Sequence, residues 1–160
     1  PISLVNTILN MSKETEYKFL VRDESFKPMA TGSSRIEQGY ISRKKEGTVR
    51  VRLRGNEGFL TVKGPNEGAT RDEWEYQIPA ADAREMLARV CDDGKIEKTR
   101  WIVPYGGLTW EVDEFHGRLA GLTVAEVELP HPGMALAAEA IPPFAGENVT
   151  GNPRYYNSNL

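Results

Sequence analysis

The sequence contains very little cysteine or histidine and no long apolar run. Cys91 is the single cysteine among 160 residues, and there are two histidines, which excludes a disulfide framework and a cysteine-based metal centre. A metal site would therefore depend on carboxylates, whose oxygen atoms suit Mg²⁺, Mn²⁺ or Ca²⁺ better than zinc or copper. No stretch is long enough for a transmembrane helix, and we expect a cytoplasmic protein with no membrane partner.

The chain also lacks an excess of positive charge. Its 20 lysines and arginines are outnumbered by 23 acidic residues, which gives a formal net charge of -3. A general nucleic-acid-binding protein would be broadly basic, so we do not expect that function. The length suits a single domain with a sizeable core.

The first ten residues differ in character from the rest. Residues 1–10 precede Met11, are mildly apolar and lack the basic start of a signal peptide. We interpret them as a leader or a cloning remnant outside the fold. The single domain is then predicted to span residues 11–160.

Charged residues alternate with apolar ones along six strand-like segments. These segments are residues 14–18, 50–54, 73–75, 98–100, 111–113 and 126–128. Because successive side chains of a strand point to opposite faces, each segment places its charges on one face. One such segment is typical of an ordinary solvated sheet, whereas six segments with almost purely charged alternate positions indicate a specialised charged face.

Acidic and basic residues are segregated within this pattern. Two like charges about 4 Å apart repel each other by about 4 kcal/mol at an effective dielectric constant near 20. Such clusters are tolerated more readily where divalent cations neutralise the acids and a polyanion neutralises the bases. The pattern therefore favours a site for a metal-bound polyanion.

The pattern predicts about eight antiparallel strands and two helices. Apolar residues recur at helical spacing over residues 79–90, and the alanine-rich residues 134–141 predict a second helix. The strands could close into a barrel, an α+β fold with charges lining the lumen and helices packed outside. Trp74, Trp101 and Trp110 alternate with the charges, so we expect them to pack outward under the helices.

Taken in order, these segments resemble the CYTH family, whose members are also called triphosphate tunnel metalloenzymes. Glu14-x-Glu16-x-Lys18, just after Met11, resembles the ExExK signature of that family. Further similar blocks are residues 49–53, 61–63, 73–75, 98–100, 110–113, 121–129 and 155–160. The signature alone is weak, but the ordered set covers residues 11–160 and is specific.

The resemblance implies an eight-stranded antiparallel β-barrel that forms a hydrophilic tunnel. It also implies hydrolysis of a triphosphate with Mg²⁺ or Mn²⁺, two ions being held when the substrate is bound. Since the compact chain has no appended domain, inorganic tripolyphosphate, cleaved to pyrophosphate and phosphate, is the favoured small-molecule substrate of a monomer or homodimer. The alternatives are a class IV-type adenylyl cyclase, a nucleoside or thiamine triphosphatase, and a non-catalytic polyphosphate-binding module.

The resemblance further assigns roles to individual residues. The expected metal ligands are Glu14, Glu16, Asp113, Glu126 and Glu128. The expected phosphate-binding residues are Lys18, Arg50, Arg52, Lys63, Lys98 and Arg100. These residue types suit the task, because arginine pairs bidentately with phosphate and lysine adds a point charge.

Two further groups complete the predicted site. Lys18 and Tyr40 are the catalytic candidates, although Tyr40 also fits the description of an ordinary buried tyrosine. Glu73, Glu75 and Glu111 are expected to support the basic side chains by accepting hydrogen bonds from them.

Overall fold

The computed structural model describes residues 13–160, so the predicted leader at residues 1–10 lies outside the described residues. The strands are β1 (Lys13–Val21), β2 (Gly32–Lys44), β3 (Gly47–Arg54), β4 (Glu57–Lys63), β5 (Thr70–Ile78), β6 (Ile96–Tyr105), β7 (Leu108–Phe115), β8 (Thr123–Glu128) and β9 (Ala145–Asn148). The α-helices in this part of the chain are α1 (Phe26–Met29) and α2 (Ala80–Arg89). Neither described helix is long and apolar enough to cross a membrane.

The strands form one closed antiparallel barrel. Hydrogen bonds join them in the order β5-β4-β3-β2-β6-β7-β8-β1, and a further pairing between β1 and β5 closes the circle. β1 makes this closure by using its first residues, Lys13–Thr15, for β5, while residues 16–20 pair with β8. β9 lies against the later part of β1. The predicted eight-stranded barrel is confirmed.

Tight hairpins connect several of the strands. Gly106 and Gly107 join β6 to β7, and both have positive φ angles, of 61° and 76°. Gly55, with φ of 59°, begins the two-residue turn between β3 and β4. Short hairpins of this kind require positive φ, which glycine adopts without steric cost. The turns fix the register that brings alternate side chains to the interior.

Helix α2 covers the outer surface of β3 and β4, as the helical spacing predicted. Its buried residues Ala83 and Leu87 pack against Val51 of β3. The helix approaches β4 closely at Gly58, where an added Cβ would lie 2.9 Å from the Cβ of Ala83. The apolar face of α2 therefore accounts for the apolar outward positions of these strands.

A second outer core lies over β6, β7, β8 and β1. Trp110 is fully buried there and its ring centroid lies 5.7 Å from that of Phe19. Trp101 packs against Phe26 of α1, with ring centroids 6.0 Å apart. Trp74 is 44% exposed. Outward packing is therefore found for Trp110 and Trp101, whereas Trp74 is exposed to solvent over nearly half of its surface.

The predicted helix at residues 134–141 is wrong. A single 3₁₀ turn, Ala138–Ala140, is the only helical structure in this segment. Pro142 and Pro143 follow directly, and a residue that precedes proline disfavours the α conformation. The remaining stretch is too short for an isolated helix to be stable. Its Leu136 and Ile141 side chains pack against the outer core without one.

One end of the barrel interior is apolar, which the charge pattern did not predict. The inward positions next to the charged ones carry Leu20 on β1, Val124 on β8 and Phe115 on β7. They pack with Tyr40, Ile96 and Leu160 into one cluster. The charged lumen thus ends on an apolar floor.

We predict that Trp110, which is fully buried, contributes far more to stability than Trp74, which is the most exposed of the three tryptophans. Trp110→Ala should lower the free energy of unfolding by about 3–5 kcal/mol, because it leaves a large cavity in the outer core. Trp74→Ala should cost less than about 1 kcal/mol, since this side chain is largely exposed. Denaturant unfolding of both variants provides the comparison, and equal losses would contradict the assigned burial.

Candidate active site

A charged cavity of about 210 Å³ lies inside the barrel. The acidic residues that line it are Glu14, Glu16, Glu73, Glu75, Glu111, Glu126 and Glu128. The basic residues that line it are Lys18, Arg50, Arg52, Arg54, Lys63, Arg71 and Arg100. Of the residues predicted for the site, Tyr40 also lines the cavity, whereas Lys98 and Asp113 do not.

The strand register explains how residues distant in sequence meet in this cavity. Lys18 of β1 lies opposite Glu126 of β8, and Glu16 lies opposite Glu128. Directly opposed residues of an antiparallel pair have their side chains on the same face. The alternation along each strand and the closure of the barrel therefore collect the charged positions around one interior space.

Three carboxylates form an acidic cluster at one side of the cavity. Oxygen atoms of Glu14, Glu73 and Glu128 lie within 4.8 Å of one another. Burial together with the Glu14 carboxylate raises the pKa of Glu73 to about 7. Burial and the Glu14 carboxylate also raise the pKa of Glu128. The sequence placed Glu73 among the supporting residues, but the structure brings it to the expected metal ligands.

Glu16 and Glu14 occupy contrasting electrostatic surroundings. Burial and the carboxylates of Glu126 and Glu14 raise the pKa of Glu16 to about 8. Although burial acts in the opposite direction, the Lys63 ammonium and the Arg71 guanidinium lower the pKa of Glu14 to about 2. The distance from Lys63 Nζ to Glu14 Oε1 is 2.9 Å. Glu16 thus lacks the compensation by cations that Glu14 receives.

Lys18 bridges the acidic cluster and the C-terminal segment. Its Nζ lies 3.3 Å from Glu126 Oε1 and donates a hydrogen bond of 2.9 Å to the carbonyl oxygen of Tyr155. Burial opposes ionisation of Glu126, but the Lys18 charge lowers the pKa of that carboxyl to about 2. Tyr40, the other catalytic candidate, lies at the boundary between the cavity and the apolar floor.

Arg50 is held by a short polar chain on the opposite wall. Its Nη2 donates to Thr61 Oγ1 at 3.1 Å and lies 3.8 Å from Glu75 Oε1. Thr61 Oγ1 donates in turn to Glu75 at 3.2 Å. The remaining supporting residues also lie near cations, with Glu73 at 3.5 Å from Lys63 and Glu111 at 2.9 Å from Arg100. Each of the three carboxylates thus lies within 4 Å of a basic side chain.

Asp113 and Lys98 lie beneath the cavity and bind each other. Asp113 accepts hydrogen bonds from Lys98 Nζ at 2.6 Å and from Arg100 Nε and Nη2 at 2.8 Å each. Against the effect of burial, Arg100 and Lys98 hold the pKa of Asp113 well below its usual range. Burial lowers the pKa of Lys98 to about 7. Because Lys98 and Arg100 bind both carboxylate oxygens of Asp113, its surroundings differ from those expected of a metal ligand.

The structure adds lining residues that the sequence reasoning missed. Arg71 lies on β5, in alternation with Glu73 and Glu75, so the alternation itself contained the signal for it. Thr61 on β4 is uncharged and gave no such signal. Tyr156, Asn157 and Ser158 line the cavity from the C-terminal segment. Their approach depends on tertiary folding, which local patterns do not report.

The sequence is similar to proteins of one family along most of its length. The CYTH domain family matches residues 12–140. An inorganic triphosphatase of Acetivibrio thermocellus is 45% identical over 150 residues, which cover 94% of this chain and 94% of that protein. An inorganic triphosphatase of Nitrosomonas europaea is 36% identical over 150 residues, which cover 92% of this chain and 95% of that protein.

Solved structures show the same architecture. The crystal structure of an inorganic triphosphatase aligns with a TM-score of 0.60 at 30% identity, covering 91% of this chain and 92% of that one. A Hippeastrum protein described as an adenylyl cyclase with dominant triphosphatase activity aligns with a TM-score of 0.59 at 16% identity, covering 74% and 80% of the two chains. The latter likeness concerns the fold alone. By its sequence and its closed barrel, the chain belongs to the CYTH domain family.

Proposed function

We propose that this protein hydrolyses inorganic tripolyphosphate to pyrophosphate and phosphate in a reaction that depends on a divalent cation. The observation that carries the proposal is a cavity in which a carboxylate cluster and a set of arginine and lysine side chains face a common space. Relatives at 45% and 36% identity are inorganic triphosphatases, which supports the same activity here.

The carboxylate cluster fits a hard divalent cation. All three potential donors of Glu14, Glu73 and Glu128 are oxygen atoms, which Mg²⁺ and Mn²⁺ prefer. Glu16 and Glu126 are expected to contribute from the adjacent positions on β1 and β8. A cation bound there would supply positive charge to the phosphate oxygens and make water easier to deprotonate. Burial and neighbouring carboxylates raise the pKa values of Glu16 and Glu73, which agrees with a site whose negative charge the nearby protein cations balance only in part.

The basic wall is suited to hold a phosphate chain. Arg50, Arg52 and Arg100 offer planar guanidinium groups, and Lys18 and Lys63 add ammonium charges. Arginine forks match phosphate oxygens bidentately. The same charges stabilise the transferring phosphoryl group, whose equatorial oxygens share negative charge in the transition state. In this proposal Lys18 and Tyr40 position the attacked phosphate near the boundary with the floor.

The cavity favours a substrate made of phosphates alone. Tyr40, Phe59 and Tyr156 are the aromatic side chains among the described lining residues, and most other lining groups are charged. A binding pocket for a nucleobase is usually lined by apolar and aromatic surface. Tripolyphosphate, in contrast, presents only anionic oxygens and can match the charged lining over its whole length.

Asp113 and Lys98 have a different proposed role from the one expected from the sequence. Two hydrogen bonds from Arg100 fix the plane of its guanidinium group on Asp113. Lys98 Nζ lies 2.6 Å from Asp113 Oδ2 and adds a second cation to the same carboxylate. We assign Asp113 to the orientation of Arg100, so the proposed metal ligands are Glu14, Glu16, Glu73, Glu126 and Glu128.

The activity assay should show phosphate release from tripolyphosphate with Mg²⁺ or Mn²⁺ and none with EDTA. Release from ATP should be much slower, because the largely charged cavity offers the adenosine little apolar surface. Glu16→Ala should lower the rate by roughly 100-fold or more if the carboxylates hold the cation. Glu147→Ala, an exposed acidic position on β9 outside the cavity, is the matched control and should retain the wild-type rate.

Two results of this assay would contradict the proposal. Formation of cyclic AMP from ATP, with little release from tripolyphosphate, would identify a cyclase. Absence of any product with every cation would leave a module that binds phosphate chains without turnover.

The roles of two acidic residues can be separated by stability. Asp113→Asn should lower the free energy of unfolding by roughly 3 kcal/mol or more even without metal, because it removes the partner of two buried cations. Glu128→Gln should change stability little in EDTA, since Glu128 is exposed. It should instead weaken Mn²⁺ binding, measured by calorimetry. If the Asp113→Asn variant is stable but loses Mn²⁺ binding, the result contradicts the proposed orienting role and favours Asp113 as a metal ligand.

The pH dependence of stability in EDTA should reveal the uncompensated carboxylates. Glu16 and Glu73 have pKa values of about 8 and about 7 in the folded state, above the ordinary value of 4.5. Between pH 5 and pH 7 the folded protein therefore retains protons that the unfolded chain has lost, so stability should fall as the pH rises. Glu16→Gln should make this fall shallower in thermal unfolding. Parallel curves for the variant and the wild type would refute the assignment.

A further inference from the structure

The candidate phosphate-binding side chains differ in the chemical group with which they are paired. Lys18, Lys63 and Arg100 each lie within 3.3 Å of a carboxylate oxygen, and Arg50 lies 3.8 Å from one. Arg52 has no carboxylate within 4 Å among the described residues. Its Nε and Nη2 instead donate to Oε1 of Gln38, at 3.0 and 2.8 Å.

Gln38 is built into the barrel in a way that fixes this contact. Its side chain is fully buried on β2, directly opposite Arg52 on β3. Only the amide oxygen can accept from a guanidinium group, so the two donated hydrogen bonds determine the orientation of the amide. Gln38 does not line the cavity, whereas Arg52 does. Any effect of Gln38 on a ligand must therefore pass through Arg52.

This arrangement leaves a buried polar atom without a partner. The Nε2 of Gln38 is buried and has no hydrogen-bond partner. An unsatisfied buried donor typically costs about 1–3 kcal/mol. A glutamate at this position would form an ion pair with Arg52 and carry no unsatisfied N–H. The amide thus carries an unsatisfied donor that a carboxylate paired with Arg52 would avoid, at the cost of burying a second charge.

A neutral acceptor has a specific electrostatic consequence. Two of the five N–H groups of Arg52 are used by Gln38, which leaves three for a ligand. Because Gln38 carries no charge, the positive charge of Arg52 is not cancelled. Burial and the charges of Arg50 and Arg100 lower the pKa of Arg52 to about 9, although Asp113 acts in the opposite direction, so the wall around Arg52 favours an anion.

We infer that Gln38 is a positioning residue for substrate binding, which orients the Arg52 guanidinium toward the cavity while leaving its full charge to the phosphate chain. The inference rests on the proposed function for the identity of the ligand, tripolyphosphate. It requires both properties of the glutamine side chain, the acceptor oxygen and the absence of charge.

Two substitutions separate these properties. Gln38→Glu keeps the acceptor and adds a charge, so it should maintain or raise the melting temperature yet weaken tripolyphosphate binding by about tenfold or more, as expected when a charge-assisted contact is neutralised. Gln38→Met keeps the size and removes the acceptor, so it should weaken binding and also lower the melting temperature. In the hydrolysis assay Gln38→Glu should raise KM by a larger factor than it lowers kcat.

Binding is measured by calorimetry with tripolyphosphate in EDTA, where no turnover is needed. A chain that binds tripolyphosphate without hydrolysing it therefore still tests Gln38, although it would contradict the proposed function. Ser33→Glu adds one carboxylate at an exposed position of the same strand and should bind as the wild type does. If Gln38→Glu binds as tightly as this control, the charge of the residue is irrelevant and the inference is overturned.

Discussion

The closed barrel imposes one constraint on which the rest of the structure depends: charges of both signs must share a small interior. Seven acidic and seven basic side chains line the same cavity. In such a partly desolvated space an unpaired charge is costly, and removal of one partner from a buried pair is strongly destabilising. The register of the strands meets part of this demand by placing Lys18 opposite Glu126 and Arg100 opposite Asp113. It also places Glu16 opposite Glu128, where like charges meet.

The pairing of opposite charges is incomplete in two places. Negative charge is in excess at the first place and positive charge at the second. On the acidic side, burial and neighbouring carboxylates raise the pKa values of Glu16 and Glu73 despite the nearby charge of Lys63. On the basic wall, Arg52 has a neutral amide where its neighbours have carboxylates. In the proposed function, a metal-bound phosphate chain would bring positive charge to the first place and negative charge to the second.

The sequence predicted the features that alternation along a strand determines. Which residues of β1, β3 and β8 face inward follows from a period of two, and the barrel follows from the number of such strands. Alternation does not reveal which residue lies across the lumen, because that depends on closure between β1 and β5. For this reason Glu73 was assigned to the cations alone, although it also meets Glu14 and Glu128.

Other errors had local causes. The alanine-rich residues 134–141 have helical propensity, but two prolines follow them directly, and propensity alone does not stabilise so short a helix. The apolar floor was missed because Leu20, Phe115 and Val124 each continue a charged alternation by one further inward position. The change from charged to apolar residues is visible in the sequence. That these residues form one cluster depends on the barrel, which brings them to the same level.

Asp113 and Glu128 show that the surroundings of an inward-facing carboxylate depend on its depth in the barrel. Both are inward-facing acidic residues in the segments that resemble the CYTH family, and they lie on the neighbouring strands β7 and β8. Asp113 is buried between the cavity and the floor, where Lys98 and Arg100 already occupy its oxygens and leave no room for an external cation. Glu128 is exposed at the other end, near the carboxylates of Glu14 and Glu73. There Lys63 and Arg71 lie against Glu14 and Glu73, and no ion pair involves Glu128 among the described residues. In the proposed function a carboxylate therefore orients a phosphate-binding arginine at the deeper level, where both of its oxygens are already bound, and offers an oxygen ligand at the outer level.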